Sequence, residues 1–350
     1  MPMIEANGVK LNVLQMPHPD PSAEHLVMLH GLATNMAFWY LRLAPALNER
    51  FHVTLYDLRG HGRSERTPTG YRASSLALDL TALLDRLEIE QSHLIAHSFG
   101  GVVALEHATR IPRRVKSLLL ADSHIGALCE DSPYNHWGEG EALRTALESR
   151  QIDLDVSDPY FGYRLLKVVA EMHLEKTEVP SVLQELVNPL SGALSKRTTQ
   201  QWFKLLTETE AEKEFTAPDN LSIARLSRLH MPILAMYGSK SPAMYTGEKL
   251  LRVWPHAHFR QVLDAGHFFP MTRPDEILVN HAALLSGELD QAARHRQGEE
   301  PSNHFRSDRF LLRDGSWYFH TRENTWQGPF STKRDAGQGL ARYLRSVSAA

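Results

Sequence analysis

The chain of 350 residues contains a single cysteine, Cys129. No internal disulfide framework can form, and a reducing compartment is the expected setting. No uninterrupted apolar run approaches the ~20 residues that a membrane-spanning helix needs. The start, MPMIEANGVKLNVL, lacks a basic region followed by an apolar one, so no secretory signal is expected and the cytoplasm is the default location. An excess of one charge is missing too: the formal net charge is -3, which gives no general attraction to nucleic acid or an anionic membrane. Neither is expected as a partner. Zinc-ligand spacing, a phosphate-binding glycine loop and a dinucleotide fingerprint are also missing, so no metal or cofactor is expected. What is present is an ordinary globular composition, 42% apolar and 23% charged. The length allows one large domain and something smaller.

Asn7-Gly8 separates two alternating runs in MIEANGVKLNVLQM, the pattern of a tight hairpin. Short apolar runs then alternate with helical patterns. HLVMLHG (25–31), HVTLYDLRG (52–60), SHLIAHS (92–98) and VKSLLLADS (115–123) read as strands. AFWYLRLAPALNE, SSLALDLTALLDRLEI and FGGVVALEHATRI read as helices. Strands apolar on both faces and separated by helices predict an α/β fold with a mostly parallel sheet covered on both sides. Residues 124–220 break the rhythm and read as helices and loops, a cap over the sheet edge where such folds place their sites. The alternation returns at PILAMYGS (232–239), HFRQVLDAG (258–266) and PDEILVNHAALL. The core is thus expected over 1–123 and 221–287, with a polar linker at 288–304 and a small ββα-type module at 305–350. In that module Asp314-Gly315 is expected in a turn and RDAGQGLARYLRSV in a helix.

LIAHSFGG (94–101) sets Ser98 between an apolar strand and a helix, with Ala96 and Gly100 two residues to either side. A serine on so sharp a turn is lifted clear of the sheet, and the backbone there tolerates little bulk at the flanking positions. The following helix aims its free N–H groups at the site. Taken in order, MLHGLATN (28–35), YDLRGHGRS (56–64), AHSFGG (96–101) and DAGHFFP (264–270) resemble the α/β-hydrolase superfamily over residues 1 to about 287. The pentapeptide differs from the usual G-x-S-x-G in carrying Ala96 for the first glycine.

The resemblance implies a Ser–acid–His hydrolase with a helical cap. It makes Ser98 the nucleophile and His267 the base, chosen by position among 19 histidines. It makes the backbone N–H groups of Leu32 and Phe99 the oxyanion donors, with His30 supporting their loop. His97 adjoins the nucleophile, but the turn should aim it elsewhere. The basic run RGHGRSER (59–66) is read as a structural loop beside the site.

The acid is the open question. The slot the superfamily commonly uses falls at Ser241 in Gly238-Ser239-Lys240-Ser241, and Glu248 is expected on the next helix facing solvent. Some α/β-hydrolases carry the acid after the earlier strand, which here ends at Asp122. Asp122 is the preferred candidate, with Asp264 or no charged acid as alternatives.

A serine at the elbow leaves carboxylic esters, thioesters, lactones and C–C bonds as targets. A small-molecule acyl substrate of medium size and largely apolar character is expected, with ester or thioester cleavage first. C–C or lactone hydrolysis comes next, and a non-catalytic ligand-binding protein on the same fold last. Trp137, Phe161 and Tyr163 are the candidate substrate contacts from a cap that also holds Tyr134, Tyr160, Met172 and Trp202. The C-terminal WYFHTRENTWQGPFS resembles a small bacterial domain of unknown function and is more distantly similar to GYF-type peptide binders. Protein contact, dimerisation and docking on its own hydrolase part all stay open for it.

Overall fold

The computed structural model describes residues 2–128, 141–150, 152–155, 158, 160–177, 179, 195–289, 310–313, 316–320, 326–332, 335 and 339. The chain forms two compact units, Met1–Gly298 and Glu299–Ala350. The first is built on an eight-stranded sheet. Its strands are β1 (Met3–Ala6), β2 (Val9–Met16), β3 (His25–Leu29), β4 (His52–Tyr56), β5 (Ser92–His97), β6 (Val115–Ala121), β7 (Ile233–Gly238) and β8 (His258–Val262), in the order β1-β2-β4-β3-β5-β6-β7-β8. β2 runs antiparallel to β1 and β4, and the pairs from β4 to β8 are parallel. Asn7 and Gly8 both have positive φ, 52° and 71°, the conformation a two-residue hairpin loop demands.

Alternate residues of one strand enter different cores. Val27 and Leu29 of β3 join one apolar cluster, and Leu26 and Met28 join the other. β6 divides in the same way, Leu118 and Leu120 against Leu119 and Ala121. A strand covered on both faces has no solvent side to mark with polar residues, which is why these segments read as unbroken apolar runs. Each fully buried leucine contributes about 1.5–3 kcal/mol of hydrophobic stabilisation.

The expected helix over AFWYLRLAPALNE is two short helices, α1 (Ala37–Tyr40) and α2 (Leu43–Asn48). Pro45 accounts for the break: in one continuous helix its ring would meet the Leu41 carbonyl, and it has no N–H to donate. α3 (Ala73–Arg86) and α4 (Phe99–Arg110) form as expected and pack together. Two strands stop earlier than the sequence suggests. β4 ends at Tyr56 because Asp57 turns inward to accept from the Met36 and Arg63 N–H groups at 2.8 and 2.9 Å. β8 ends at Val262, two residues before Asp264 takes a positive φ of 52°.

RGHGRSER is indeed a structural loop. Arg59 pairs with Asp79 on α3 at 2.6 Å, and the Ser64 hydroxyl donates to the Asp57 carbonyl at 2.6 Å. Between β6 and β7 the described residues hold helices at Glu141–Glu148, Phe161–Leu174, Ser195–Glu208, Ala211–Phe215 and Ile223–Leu226 and no strand. The second unit contains β9 (Phe310–Arg313), β10 (Ser316–His320) and β11 (Trp326–Phe330) in an antiparallel sheet, with Phe319 stacked on Phe330. Asp314-Gly315 and most of the expected final helix lie outside the described residues. No helix among the described residues is long and apolar enough to cross a membrane.

Candidate active site

The tips of β5, β6 and β7 and the loop after β8 converge at one edge of the sheet. Ser98 sits between β5 and α4 with φ 53° and ψ -126°, a conformation that costs a non-glycine residue about 1–3 kcal/mol. Two close approaches hold the turn. A Cβ on Gly100 would lie 2.5 Å from the His30 carbonyl oxygen, and one on Gly31 would lie 2.8 Å from Ser98 Cβ. Glycine at both positions lets the loop after β3 lie directly against the elbow.

Ser98 Oγ is 3.0 Å from His267 Nε2, and Asp122 Oδ1 is 2.8 Å from His267 Nδ1. A carboxylate only accepts, so Nδ1 carries the ring proton and Nε2 is left to accept from the serine hydroxyl. Asp122 is fully buried, and its φ of 54° turns it off the end of β6 toward β7. It accepts from the Gly238 N–H at 2.8 Å and from the Ser241 hydroxyl as well as from His267. Ser241, in the slot where an acid was sought, therefore serves the carboxylate. Asp264 is turned away, with an exposed side chain that lies 3.4 Å from Lys240. Glu248 lies on the helix Met244–Val253, and its side chain is outside the described residues.

The neighbouring histidines are held neutral. His97 donates from Nε2 to the His267 carbonyl oxygen at 3.0 Å and stacks on Phe38. Burial, and then the nearby His267, pushes its pKa well down. It thus steadies the His267 backbone. His30 accepts from the Leu58 N–H at 3.0 Å and donates to the Gly31 carbonyl at 2.8 Å, with burial pushing it down to about 4. The bond from Leu58 ties the loop after β3 to the loop after β4. Among the described residues, neither the Leu32 nor the Phe99 N–H has a hydrogen-bond acceptor.

Leu32, Ser98, His124, Tyr163, His267 and Phe268 line a small pocket of about 20 Å³. His124 and Tyr163 also line a larger cavity of about 320 Å³, with Phe99, Tyr160 and Phe215 among its other walls. Of the three candidate substrate contacts, Tyr163 borders both spaces. Phe161 is buried in the apolar core and borders neither, and Trp137 lies outside the described residues. Trp202 stacks on Phe215 instead of facing the larger cavity. His124, Phe215 and Asp219 of the cavity wall were missed by the sequence reading. The available signal was positional: His124 follows the β6 tip by three residues, and 215–221 is where the insertion returns to the sheet.

Three kinds of likeness bear on this geometry. The putative carbamate hydrolase RutD of Stutzerimonas stutzeri (strain A1501) is 40% identical over 101 residues, 29% of this chain and 38% of that protein. The chain thus spans well under half of that relative's length. The 3-oxoadipate enol-lactonase 2 of Acinetobacter baylyi (strain ATCC 33305 / BD413 / ADP1) is 26% identical over 285 residues, 80% of this chain and 93% of that one. Among solved structures, Est816, described as an N-acyl homoserine lactone degrading enzyme, is 26% identical with a TM-score of 0.55, covering 79% of this chain and 97% of its own. The enol-lactonase from Burkholderia xenovorans LB400, at 21% identity and a TM-score of 0.55, covers 81% of this chain and all of its own, and shares the fold. Residues 295–349 match a domain of unknown function (DUF6316). Residues 24–274, which carry the convergence of Ser98, His267 and Asp122, match the alpha/beta hydrolase fold, and the chain belongs to that family of enzymes.

Proposed function

We propose that this chain is a serine hydrolase cleaving a carboxylic ester or thioester of a medium-sized, largely apolar substrate. The observation that carries the reading is the hydrogen-bonded line from Ser98 Oγ to His267 Nε2 and from His267 Nδ1 to Asp122. His267 takes the Ser98 proton as Oγ attacks the carbonyl carbon, and Asp122 stabilises the imidazolium so formed. The negative charge moves to the carbonyl oxygen, which the Leu32 and Phe99 N–H groups receive; such donors are worth about 3 kcal/mol each. The C–O or C–S bond breaks, His267 returns the proton to the leaving group, and an acyl-enzyme remains. Water, deprotonated by the same histidine, releases the acid and restores Ser98.

The helical insertion caps this site, and its Tyr160, Tyr163 and Phe215 give the larger cavity an apolar wall suited to such a substrate. A lactone is the second reading. The likeness to the A. baylyi enol-lactonase along 93% of that protein favours it, and the chemistry differs only in that the leaving hydroxyl stays attached to the acyl group. A fluorophosphonate probe tests the common core of both. Covalent labelling at Ser98, absent from Ser98→Ala, is expected; an unlabelled folded protein overturns the reading in favour of a non-catalytic binding protein.

A further inference from the structure

Two spaces of very different size adjoin beside Ser98. The pocket that holds Ser98 and His267 is about 20 Å³, room for about one water molecule. The neighbouring cavity is about 320 Å³, the size at which small-molecule sites begin. Among the described residues, the walls common to both are Tyr163 and His124. The cavity starts close to the reacting atoms, since Phe99, next in the chain to Ser98, is part of its wall.

The two shared side chains are held in place. Tyr163 lies in the first turn of the helix Phe161–Leu174, where its N–H donates to the Tyr160 carbonyl at 2.9 Å. Its ring stands at right angles to Phe99, with 5.9 Å between the centroids. His124 Nδ1 is hydrogen-bonded to Thr246 Oγ1 at 3.3 Å, and Thr246 is fully buried on the helix Met244–Val253. One side of the boundary thus belongs to a helix of the insertion, and the other to the segment that leaves β6, braced from beyond β7.

We propose that Tyr163 and His124 form a neck between the two spaces, and that the acyl group of the substrate crosses it on a slender, unbranched stem to place a broader apolar body in the cavity. The proposal rests on the hydrolase reading above and deepens it: selection acts on where the acyl group is wide, not on how large it is. A medium-sized acyl group does not fit in the 20 Å³ beside Ser98, so atoms close to its carbonyl must pass between the two rings. Branching there meets rings braced from behind, and a close-packed wall accommodates extra methyl groups poorly. Bulk farther out meets the larger space. The acyl group is the arm assigned because it stays on Ser98 while the alcohol or thiol leaves and water enters, so the way out must remain clear of it.

The test uses three p-nitrophenyl esters: the hexanoate, its branched isomer the tert-butylacetate, and the ω-phenylpentanoate. Each rate is divided by that ester's hydroxide-catalysed rate. Wild type is expected to cleave the straight and the phenyl-ended ester with similar kcat/KM and the branched one with a value ~10-fold or more lower. Tyr163→Ala, or His124→Ala from the other side, should shrink the straight-to-branched ratio several-fold, read within each variant whatever its absolute rate. Tyr163→Phe keeps the ring and should keep the ratio. Tyr160→Ala, which enlarges the cavity but not the neck, should keep it too. Equal cleavage of the two isomers by wild type overturns the proposal while leaving the hydrolase reading intact, as does rejection of the phenyl-ended ester as strong as that of the branched one. An unchanged ratio in folded Tyr163→Ala or His124→Ala overturns it as well, and so does a ratio that falls equally in Tyr163→Phe or Tyr160→Ala. Failure of all three esters together with an unlabelled Ser98 sinks the underlying hydrolase reading instead.

Discussion

The Ser241 hydroxyl donates to Asp122 Oδ1, the same oxygen that accepts from His267 Nδ1. Two strand tips that could each have carried the acid thus meet, one supplying the carboxylate and the other a donor to it. Under the proposed mechanism Asp122→Asn should lower kcat by as much as ~10⁴-fold, since an amide can stabilise the wrong imidazole tautomer. Ser241→Ala removes one of three donors and should cost far less, about tenfold at most. Ser241→Asp alone should be worse than Ser241→Ala, because two buried carboxylates cannot both stay ionised at that distance. In the Asp122→Ser background the same Ser241→Asp change should instead recover activity. Hydrolysis of p-nitrophenyl butanoate by the five variants, Asp122→Ser alone included, checks the order; a near-normal rate in Asp122→Asn removes Asp122 from the mechanism.

Gly31 sits where the loop after β3 touches the elbow. An added methyl would stand 2.8 Å from Ser98 Cβ and 3.0 Å from His97 Nδ1. The Ser98 turn is covalently fixed between strand and helix, so the loop must give way, and the Leu32 N–H moves with it. Loss of one oxyanion donor costs about 10²–10³ in kcat. Gly31→Ala should show a fall in kcat within that range with KM changed little, and thermal melting will establish that the variant is folded. Wild-type kcat in a folded Gly31→Ala would rule out Leu32 as a donor.

The sequence exposed the parts of this site that are set by the sheet. Ser98 and Asp122 lie at the ends of the paired strands β5 and β6, and apolar runs marked both strands clearly. His267 follows β8 in the same way. The cavity wall has no such frame. Phe161 and Tyr163 stand two residues apart on one helix, about 200° around its axis, so they face opposite ways. Nothing local says which of them meets the site until the helix finds its neighbour Ser195–Glu208. His124, Phe215 and Asp219 come together only when the insertion folds back over Phe99, a long-range event with no local period. The break at Pro45 was written in the sequence, but a strong apolar pattern on both sides of it concealed the stop.

Arg59 and Asp79 form an ion pair whose side chains are 10% and 2% exposed. Asp79 also accepts from Asn7 Nδ2 at 2.7 Å, which ties the N-terminal hairpin to α3. Burial still holds the Asp79 carboxyl above its usual pKa, although Arg59 and Asn7 pull it down. Removing only the cation leaves that carboxylate stranded. Arg59→Leu should therefore cost about 3–5 kcal/mol of stability. The double change Arg59→Leu/Asp79→Leu should recover most of the loss, since an apolar pair of similar volume has no charge to desolvate. Urea denaturation of the three proteins checks this, and a double variant as unstable as the single one would mean that packing, not charge, dominates.

His281 is 1% exposed, and its Nε2 has no hydrogen-bond partner among the described residues. Burial, followed by the charges of His93 and Arg50, pushes it down to about 3. His61 is likewise pushed to about 3 and His30, His107 and His124 to about 4, burial leading in every case. Each of these rings is neutral in the folded chain at pH 5, whereas an unfolded histidine binds a proton below about 6.5. The unfolded state therefore holds more protons, and stability falls with decreasing pH from about 6.5 until the folded pKa values near 3 to 4 are reached. The slope is about 1.4 kcal/mol per pH unit for each such ring. Above pH 7.5 these groups should give no pH dependence. His281→Leu removes one ring from the slope and, at pH 7.5, deletes an unpaired polar atom from a largely apolar setting, so its stability there should match or exceed wild type. Urea unfolding at pH 7.5, 6 and 5 should show the variant gaining on wild type at each acid step, by about 1.2 kcal/mol between pH 6 and 5. Parallel losses in the two proteins would mean that His281 is protonated in the folded state.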